Sequence, residues 1–364
     1  MASTFPCKSF RKRLTFSIVR LIRPSFARGC NPVKKQKHSP IWITLALFIL
    51  ALFIVFVVYP LALILYKSVL DPATNHLTME NFTRFFSRKY YTNTLLNSFK
   101  VTIVATLISA TLGLLMAYII KQFPIAGSKW LNIAIVVSYL SPPFIGAYAW
   151  IQLLGRKGLI TGIINQLPGV QFEGIYGFAG IVLVFSLQSF PLVYMYVVGA
   201  LENLDNSLNE AAESLGANNF QRVTGIILPL VLPTVLASGL LVFMRVFADF
   251  GTPMLIGEGY RTYPVVLYNQ FMGEVTNDSY FAAALCVIIV AITLVFFFLQ
   301  RWVSRKFSYS MSALKPMQPR VQKPLPRALC HIFVYTVVLL ALLPQITVIV
   351  TSFLKESTPG IFTN

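Results

Sequence analysis

Residues 202–229 read ENLDNSLNEAAESLGANNFQRVTGIILP and interrupt an otherwise apolar part of the chain. Within them, Ser207-x-x-Glu210 predicts a capping box at the start of a short helix. Gly216 is placed to adopt the left-handed conformation that ends a helix. The stretch therefore predicts a helix of about two turns over 207–216, which would be marginal alone in water and needs a surface to pack against.

The apolar residues of this short helix recur at helical spacing, so they share one face. They are Leu208, Ala211, Ala212 and Leu215. Two alanines at the centre make the face narrow and flat, which allows close approach. Periodicity alone leaves two interpretations open: the face docks on a cytoplasmic partner, or it packs on the protein's own membrane helices.

A second helical segment follows, and Asn218 or Asn219 can cap it. Its apolar side would comprise Phe220, Val223, Ile226 and Ile227. Pro229 and Pro233 then mark the entry into the next membrane span.

Outward from this stretch, the composition is that of a polytopic helical membrane protein. Of 364 residues, 56% are hydrophobic and 12% are charged, whereas soluble domains carry about 25% charged residues. Seven apolar runs are long enough to cross the bilayer. We place them at roughly 41–67, 94–120, 131–153, 178–201, 229–249, 279–300 and 329–353. We expect Ser141-Pro142-Pro143 and Gln188–Pro191 to interrupt helical hydrogen bonding in the third and fourth runs.

The net charge of +18 reflects membrane topology and does not indicate nucleic-acid binding. The first 40 residues hold ten Lys or Arg and no acid, which predicts a cytoplasmic N-terminus. With that orientation, 20 of the 30 basic residues lie inside, and 202–228 is an inside loop. The basic segment 1–40 is either an interfacial helix or an unstructured tail.

Cysteine, histidine and phosphate-binding patterns give no sign of a cofactor or metal site. The four cysteines and three histidines are scattered, and no G-x-x-x-x-G-K-[ST] sequence occurs. We expect no catalytic residue, metal or cofactor in this chain. Paired acids for a membrane enzyme are missing, and a secondary transporter is the weaker transport hypothesis.

The spacing in the quoted loop resembles the EAA signature of ATP-binding-cassette (ABC) importer permeases of type I. The matching positions are Glu210, Ala211, Ala212, Gly216, Ile226, Leu228 and Pro229. The resemblance implies an all-α inner-membrane permease whose EAA helix docks on a separate cytoplasmic ATPase. It also implies an extracytoplasmic solute-binding protein, with a homodimeric ATPase and a second permease half or copy as further partners.

A second stretch, Ala248–Gly257 (ADFGTPMLIG), most resembles fused permeases for ferric iron. Related permeases for polyamines, thiamine, phosphonates and sulfate share this layout, so these or another small solute remain alternatives. A weak repeat relates PLALILYKSVL at Pro60 to PQITVIVTSFL at Pro344. We therefore divide the chain into a basic segment 1–40, a six-span permease domain 41–300, a basic linker 301–328 and an incomplete second half 329–364.

Polar residues inside the spans are candidates for the translocation path. They are Asn97, Lys100, Arg245 and Asp249. Arg245 and Asp249 are four residues apart, so they can instead form a structural ion pair. Lys100 can equally extend its ammonium group toward the membrane interface.

Overall fold

The computed structural model describes residues 40–71, 76–169, 171–273, 278–306 and 324–353. All but the last residue of the predicted basic segment 1–40, and most of the predicted linker 301–328, lie outside these residues. Within the described ranges the chain is helical, with no strand and one isolated antiparallel bridge between Leu70 and Leu77. The predicted all-α fold class is confirmed.

The chain divides into two compact units, residues 1–60 and 61–364. In the first, α1 (Pro40–Phe53) is followed by a π-helical turn, Ile54–Val58. Every side chain from 41 to 60 is exposed. A helix that is apolar all round and exposed all round is suited to a lipid environment.

The second unit contains the remaining helices. They are α2 (Tyr59–Ser68, which begins in the first unit), α3 (Glu80–Ser87), α4 (Lys89–Gln122), α5 (Ser128–Tyr139), α6 (Pro143–Leu154), α7 (Leu159–Ile164), α8 (Gly177–Glu202), α9 (Asn206–Ser214), α10 (Asn219–Arg222), α11 (Leu228–Ala248), α12 (Gly251–Ile256), α13 (Tyr263–Met272), α14 (Ser279–Lys306) and α15 (Pro324–Ser352). A second π-helical turn, Val223–Ile227, joins α10 to α11.

Six helices of the described residues are long and apolar enough to cross a membrane, and a bent pair makes a seventh. The bent pair is the predicted third span, 131–153. Its two arms, Ser128–Tyr139 and Pro143–Ile164, meet at 103°. Pro142 and Pro143 cannot donate the backbone hydrogen bonds that would continue α5, so the predicted break at Ser141–Pro143 is confirmed.

The backbone of this break is stabilised by α15. In a continuous helix the carbonyl of Ser138 would accept from the backbone nitrogen of Pro142, which has no hydrogen. The side-chain amide of Gln345 donates to the Ser138 carbonyl instead, at 2.8 Å. Freed backbone groups inside a bilayer need such partners. At Gln188–Pro191, Pro191 has no N–H to donate within the helix. Even so, α8 continues through this buried residue and is not divided as the third span is.

The centre of the second unit is the packing of α4 against α8. Four small residues on one face of α4 are buried at intervals of four: Ala105, Ser109, Gly113 and Ala117. A Cβ atom on Gly113 would lie 2.7 Å from the Cβ of Val193 and 2.9 Å from the Phe190 carbonyl oxygen. Small residues allow this close approach where the surrounding lipid is as apolar as the helices. α11 packs on both helices, and α15 packs on α5 and α6.

Candidate coupling surface and translocation path

The start of α9 is capped by Asp205, two residues earlier in the polar loop than the predicted Ser207. The Oδ1 atom of Asp205 accepts from the backbone N–H of Ser207 at 3.0 Å. The predicted capping box at Ser207 and Glu210 is therefore wrong, because the carboxylate of Asp205 takes the capping position. The Glu210 carboxylate accepts from the side-chain amide of Asn206 at 2.9 Å.

The end of α9 agrees with the prediction. Gly216 is left-handed, with φ at +83°. The N–H of Gly216 donates to the Glu213 carbonyl at 2.9 Å, and the N–H of Ala217 donates to the Ala212 carbonyl at 3.0 Å. This pair of bonds is the Schellman arrangement, which satisfies carbonyls at a helix end. The chain therefore reverses sharply after one short helix.

Asn218 caps α10, which resolves the choice left open with Asn219. Its Oδ1 accepts from the Gln221 backbone N–H at 2.8 Å, and the Gln221 side chain accepts from the Asn218 backbone N–H at 2.9 Å. This reciprocal capping box fixes the geometry of the turn between α9 and α10.

The apolar face of α9 points outward. Leu215 is 89% exposed and Leu208 is 41% exposed, and Ala211 is exposed while Ala212 is half-buried. Phe220 on α10 is also exposed. The inward side of α9 instead carries two buried asparagines, Asn206 and Asn209. A helix that packed on its own membrane domain would turn its apolar residues inward, and α9 does the reverse. Large exposed apolar groups mark an interaction surface.

The rest of the EAA positions lie where α10 runs into α11. Ile226 is in the π-helical turn and Leu228 begins α11, both half-buried, and Pro229 is exposed near the start of α11. The neighbouring Ile227 is buried in the main hydrophobic cluster. The predicted apolar side of this segment is thus divided, with Phe220 exposed and Ile227 in the core.

Arg222 is the residue of this site that sequence reasoning missed. Its side chain is buried on α10 and donates through Nη1 to Glu213 Oε2 of α9 at 2.9 Å. It is the one basic residue of 202–228, a loop with four acids. A single arginine in a loop with four acids could have predicted an internal salt bridge from the sequence.

Three of the four candidate path residues contact neighbouring groups, and the fourth, Lys100, is exposed. Asn97 on α4 donates to the Arg261 carbonyl at 3.1 Å. The guanidinium of Arg245 lies 4.3 Å from the ring centre of Tyr139, and Asp249 accepts from the Thr252 backbone N–H at 3.1 Å.

Arg245 and Asp249 do not form the ion pair that their four-residue spacing allows. Among the residues that the structure describes, no salt bridge joins Arg245 to Asp249, and no hydrogen bond links either to Asn97 or Lys100. The Tyr139 ring supplies the contact that the carboxylate was expected to supply. A role in the path stays a prediction for all four residues.

The stretch Ala248–Gly257 forms the end of α11 and the short α12, which packs on α6 and α8. A Cβ atom on Gly251 would lie 3.1 Å from the ring of Phe144 in α6. A Cβ atom on Gly257 would lie 2.3 Å from the Pro253 carbonyl oxygen. Both glycines therefore permit close packing, and α12 is seated against the second arm of the broken span.

Comparison with known proteins agrees with this architecture. Residues 109–309, more than half of the chain, match the family model described as "Binding-protein-dependent transport system inner membrane component". A Salmonella typhimurium protein assigned as a 2-aminoethylphosphonate transport system permease is 28% identical over 72% of this chain and 91% of its own length.

A ferric transport system permease of Actinobacillus pleuropneumoniae is 26% identical over 73% of this chain and 39% of its own length. A bacterial alginate ABC transporter, solved with an alginate pentasaccharide-bound periplasmic protein, has a similar fold. Its TM-score is 0.61 at 15% identity, covering 74% of this chain and 96% of that chain.

The matched region contains α8, the outward-facing α9, α10, α11 and the whole of α14, and it ends just beyond α14. With its helical membrane-spanning fold and its match to the family model, the chain belongs to the binding-protein-dependent transport system inner membrane components, the multi-span permeases of ABC importers.

Proposed function

We propose that this permease is driven by a separate cytoplasmic ATPase that binds the outward face of α9. The observation that supports this most directly is the orientation of α9. Its apolar residues face out and its asparagines face in, and the outward residues coincide with the EAA positions Ala211 and Ala212. A two-turn helix with exposed leucines gains from covering them, at about 25 cal/mol for each Å² of apolar surface buried.

The partners follow from the family and the orientation of the loop. We propose a homodimeric ATPase on the cytoplasmic side, a solute-binding protein on the other side, and a second permease half or copy within the bilayer. ATP hydrolysis belongs to the ATPase, so this chain itself is not an enzyme. The proposed location is the bacterial inner membrane, with the N-terminus in the cytoplasm.

Aspartate substitutions on α9 test the docking surface. We expect Ala211→Asp and Ala212→Asp to insert normally into the membrane and to lose most of the ATPase that co-purifies with the parent protein. A charge placed in a buried apolar contact costs several kcal/mol. Ser207→Asp is the matched control, because it adds the same charge on the same helix roughly a quarter-turn from the centre of the apolar face. Unchanged co-purification with both alanine variants would exclude α9 as the docking helix.

For the substrate, we propose ferric iron. The support is the stretch Ala248–Gly257, with its tightly seated α12, together with the likeness to the Actinobacillus ferric permease. The second candidate is 2-aminoethylphosphonate, because the Salmonella relative aligns over nearly its whole length. Within the described residues, no group of three or more His, Cys, Asp or Glu could hold a metal ion. Selectivity would accordingly rest with the solute-binding protein.

Uptake measurements separate the two candidates. We expect deletion of the gene to reduce uptake of radiolabelled ferric iron and to leave 2-aminoethylphosphonate uptake unchanged, with recovery on complementation. If deletion instead reduces 2-aminoethylphosphonate uptake and leaves ferric iron uptake unchanged, the phosphonate is the substrate.

A further inference from the structure

Arg222 joins the two short helices of the coupling surface from the buried side. Only 6% of its surface is exposed. Its guanidinium donates to Glu213 of α9 and to Asn219 at the start of α10. A guanidinium is planar and presents its donors at fixed angles, so it can set the angle between two elements in a way that a lysine cannot.

The salt bridge between Arg222 and Glu213 directly joins α10 to α9. The two helices have nine and four residues, and the turn between them contains the left-handed Gly216. Glycine has the largest conformational freedom of any residue. Backbone capping bonds close each helix end, and the side chains of Arg222 and Glu213 bridge the two helices across the turn.

Directly after Arg222 the chain enters the π-helical turn Val223–Ile227 and then α11. Turns of this wide type inside helices are rare and often occur at functional positions. Ile227, the last residue of the turn, is buried in the main cluster with Val231 of α11. A displacement of α10 can therefore reach the membrane helix α11 through the connected backbone and through the packing of Ile227.

We propose that Arg222 is a positioning residue that makes α9 and α10 one rigid arm. Movement of the docked α9 then reaches α11 and is not absorbed at the Gly216 turn. This inference rests on the proposed docking of the ATPase on α9, and it adds how the docked helix transmits force. Arg222 is buried behind the docking face and does not itself contact the ATPase.

Charge reversal tests the pair in the complete transporter. Parent, Arg222→Glu, Glu213→Arg and the double variant are reconstituted with the ATPase and the binding protein in proteoliposomes. We expect both single variants to keep the ATPase bound and hydrolysing ATP, while substrate transported per ATP falls roughly tenfold, within the range known for positions along a coupling route. The double variant should recover at least threefold over the single variants.

The control is Arg156→Gln, which removes a salt bridge to Glu258 elsewhere on the surface. An exposed pair of this kind contributes little, so the transport-to-ATP ratio should not change. If both single variants keep the parent ratio, or if the double variant falls below both of them, the proposal is overturned. If the parent protein does not bind the ATPase at all, that result contradicts the proposed function instead.

A distance measurement tests the rigid arm without the ATPase. Spin labels on cysteines at Ser214 and Phe220, both exposed, report the angle between α9 and α10 in a background with the four native cysteines replaced by serine. We expect a narrow distance distribution with Arg222 and one at least twice as wide with Arg222→Gln. Equal widths would refute the rigid arm even if transport fell.

Discussion

Gly216 and Asp205, at the two ends of α9, differ in how well the sequence predicts them. A glycine that closes an amphipathic turn has one conformational use, and the structure shows it at φ +83°. At the other end, Asp205, Asn206 and Ser207 can all cap a helix, and the sequence cannot rank three adjacent side chains that compete for the same backbone N–H groups. Arg222 was missed because helical periodicity identifies apolar faces and gives no partner for a buried charge.

Gly216 gives a prediction that separates conformation from contact. No atom lies within 4 Å of a Cβ built on it, so any effect of substitution comes from its left-handed backbone. We expect Gly216→Val to lose ATPase co-purification, since a non-glycine residue in this region costs roughly 1–2 kcal/mol and a β-branched one more. Asparagine tolerates the conformation, so Gly216→Asn should retain most of the binding. Equal behaviour of the two variants would contradict a conformational role.

The sequence predicted which membrane-spanning helices exist and roughly where they lie better than it predicted how they bend. Six of the seven predicted spans overlap single long helices, and the third is a pair bent by 103° at the predicted prolines. Pro142 and Pro143 predict a break because they remove backbone N–H donors. The angle depends on α15 and α12, which come from distant parts of the chain and pack on the two arms of the third span. Pro191 also removes a donor, yet α8 continues through it while packed on both α4 and α11.

The packing of α4 on α8 predicts opposite effects for two glycine substitutions. Gly113→Ala places a methyl group 2.7 Å from Val193, and overpacking of this kind costs about 1–3 kcal/mol. Gly199→Ala on α8 meets no atom within 4 Å and should stabilise its helix by roughly 0.5–1 kcal/mol. Thermal unfolding of the purified protein in detergent checks both, and a melting temperature for Gly113→Ala at or above the parent value would contradict this packing.

For the molecule as a whole, the charge distribution predicts an orientation that the fold alone leaves open. Twenty of the thirty basic residues belong to segments assigned to the cytoplasm. The same assignment puts α9 on the cytoplasmic side and the segment between α6 and α8 outside. The proposed docking of the α9 apolar face on a cytoplasmic ATPase needs the same orientation that the charge bias predicts.

Cysteine labelling tests this orientation. In a cysteine-free background, we expect Lys157→Cys to react with a membrane-impermeant thiol reagent added to intact spheroplasts. Ser214→Cys should react only after the membrane is permeabilised. Both positions are exposed, so accessibility to the reagent depends on the side of the membrane alone. Labelling of Ser214→Cys in intact spheroplasts would reverse the topology.

The hydrogen bond between Gln345 and the carbonyl of Ser138 also sets an order of events during synthesis. Its partners are 207 residues apart in the chain. At about 5–20 residues per second, a ribosome needs roughly 10–40 s to add the second after the first. During that interval the broken span is already made, while the helix that satisfies its backbone is not. Until α15 is made, the carbonyl of Ser138 needs another partner, such as water, a lipid headgroup or a group of the insertion machinery.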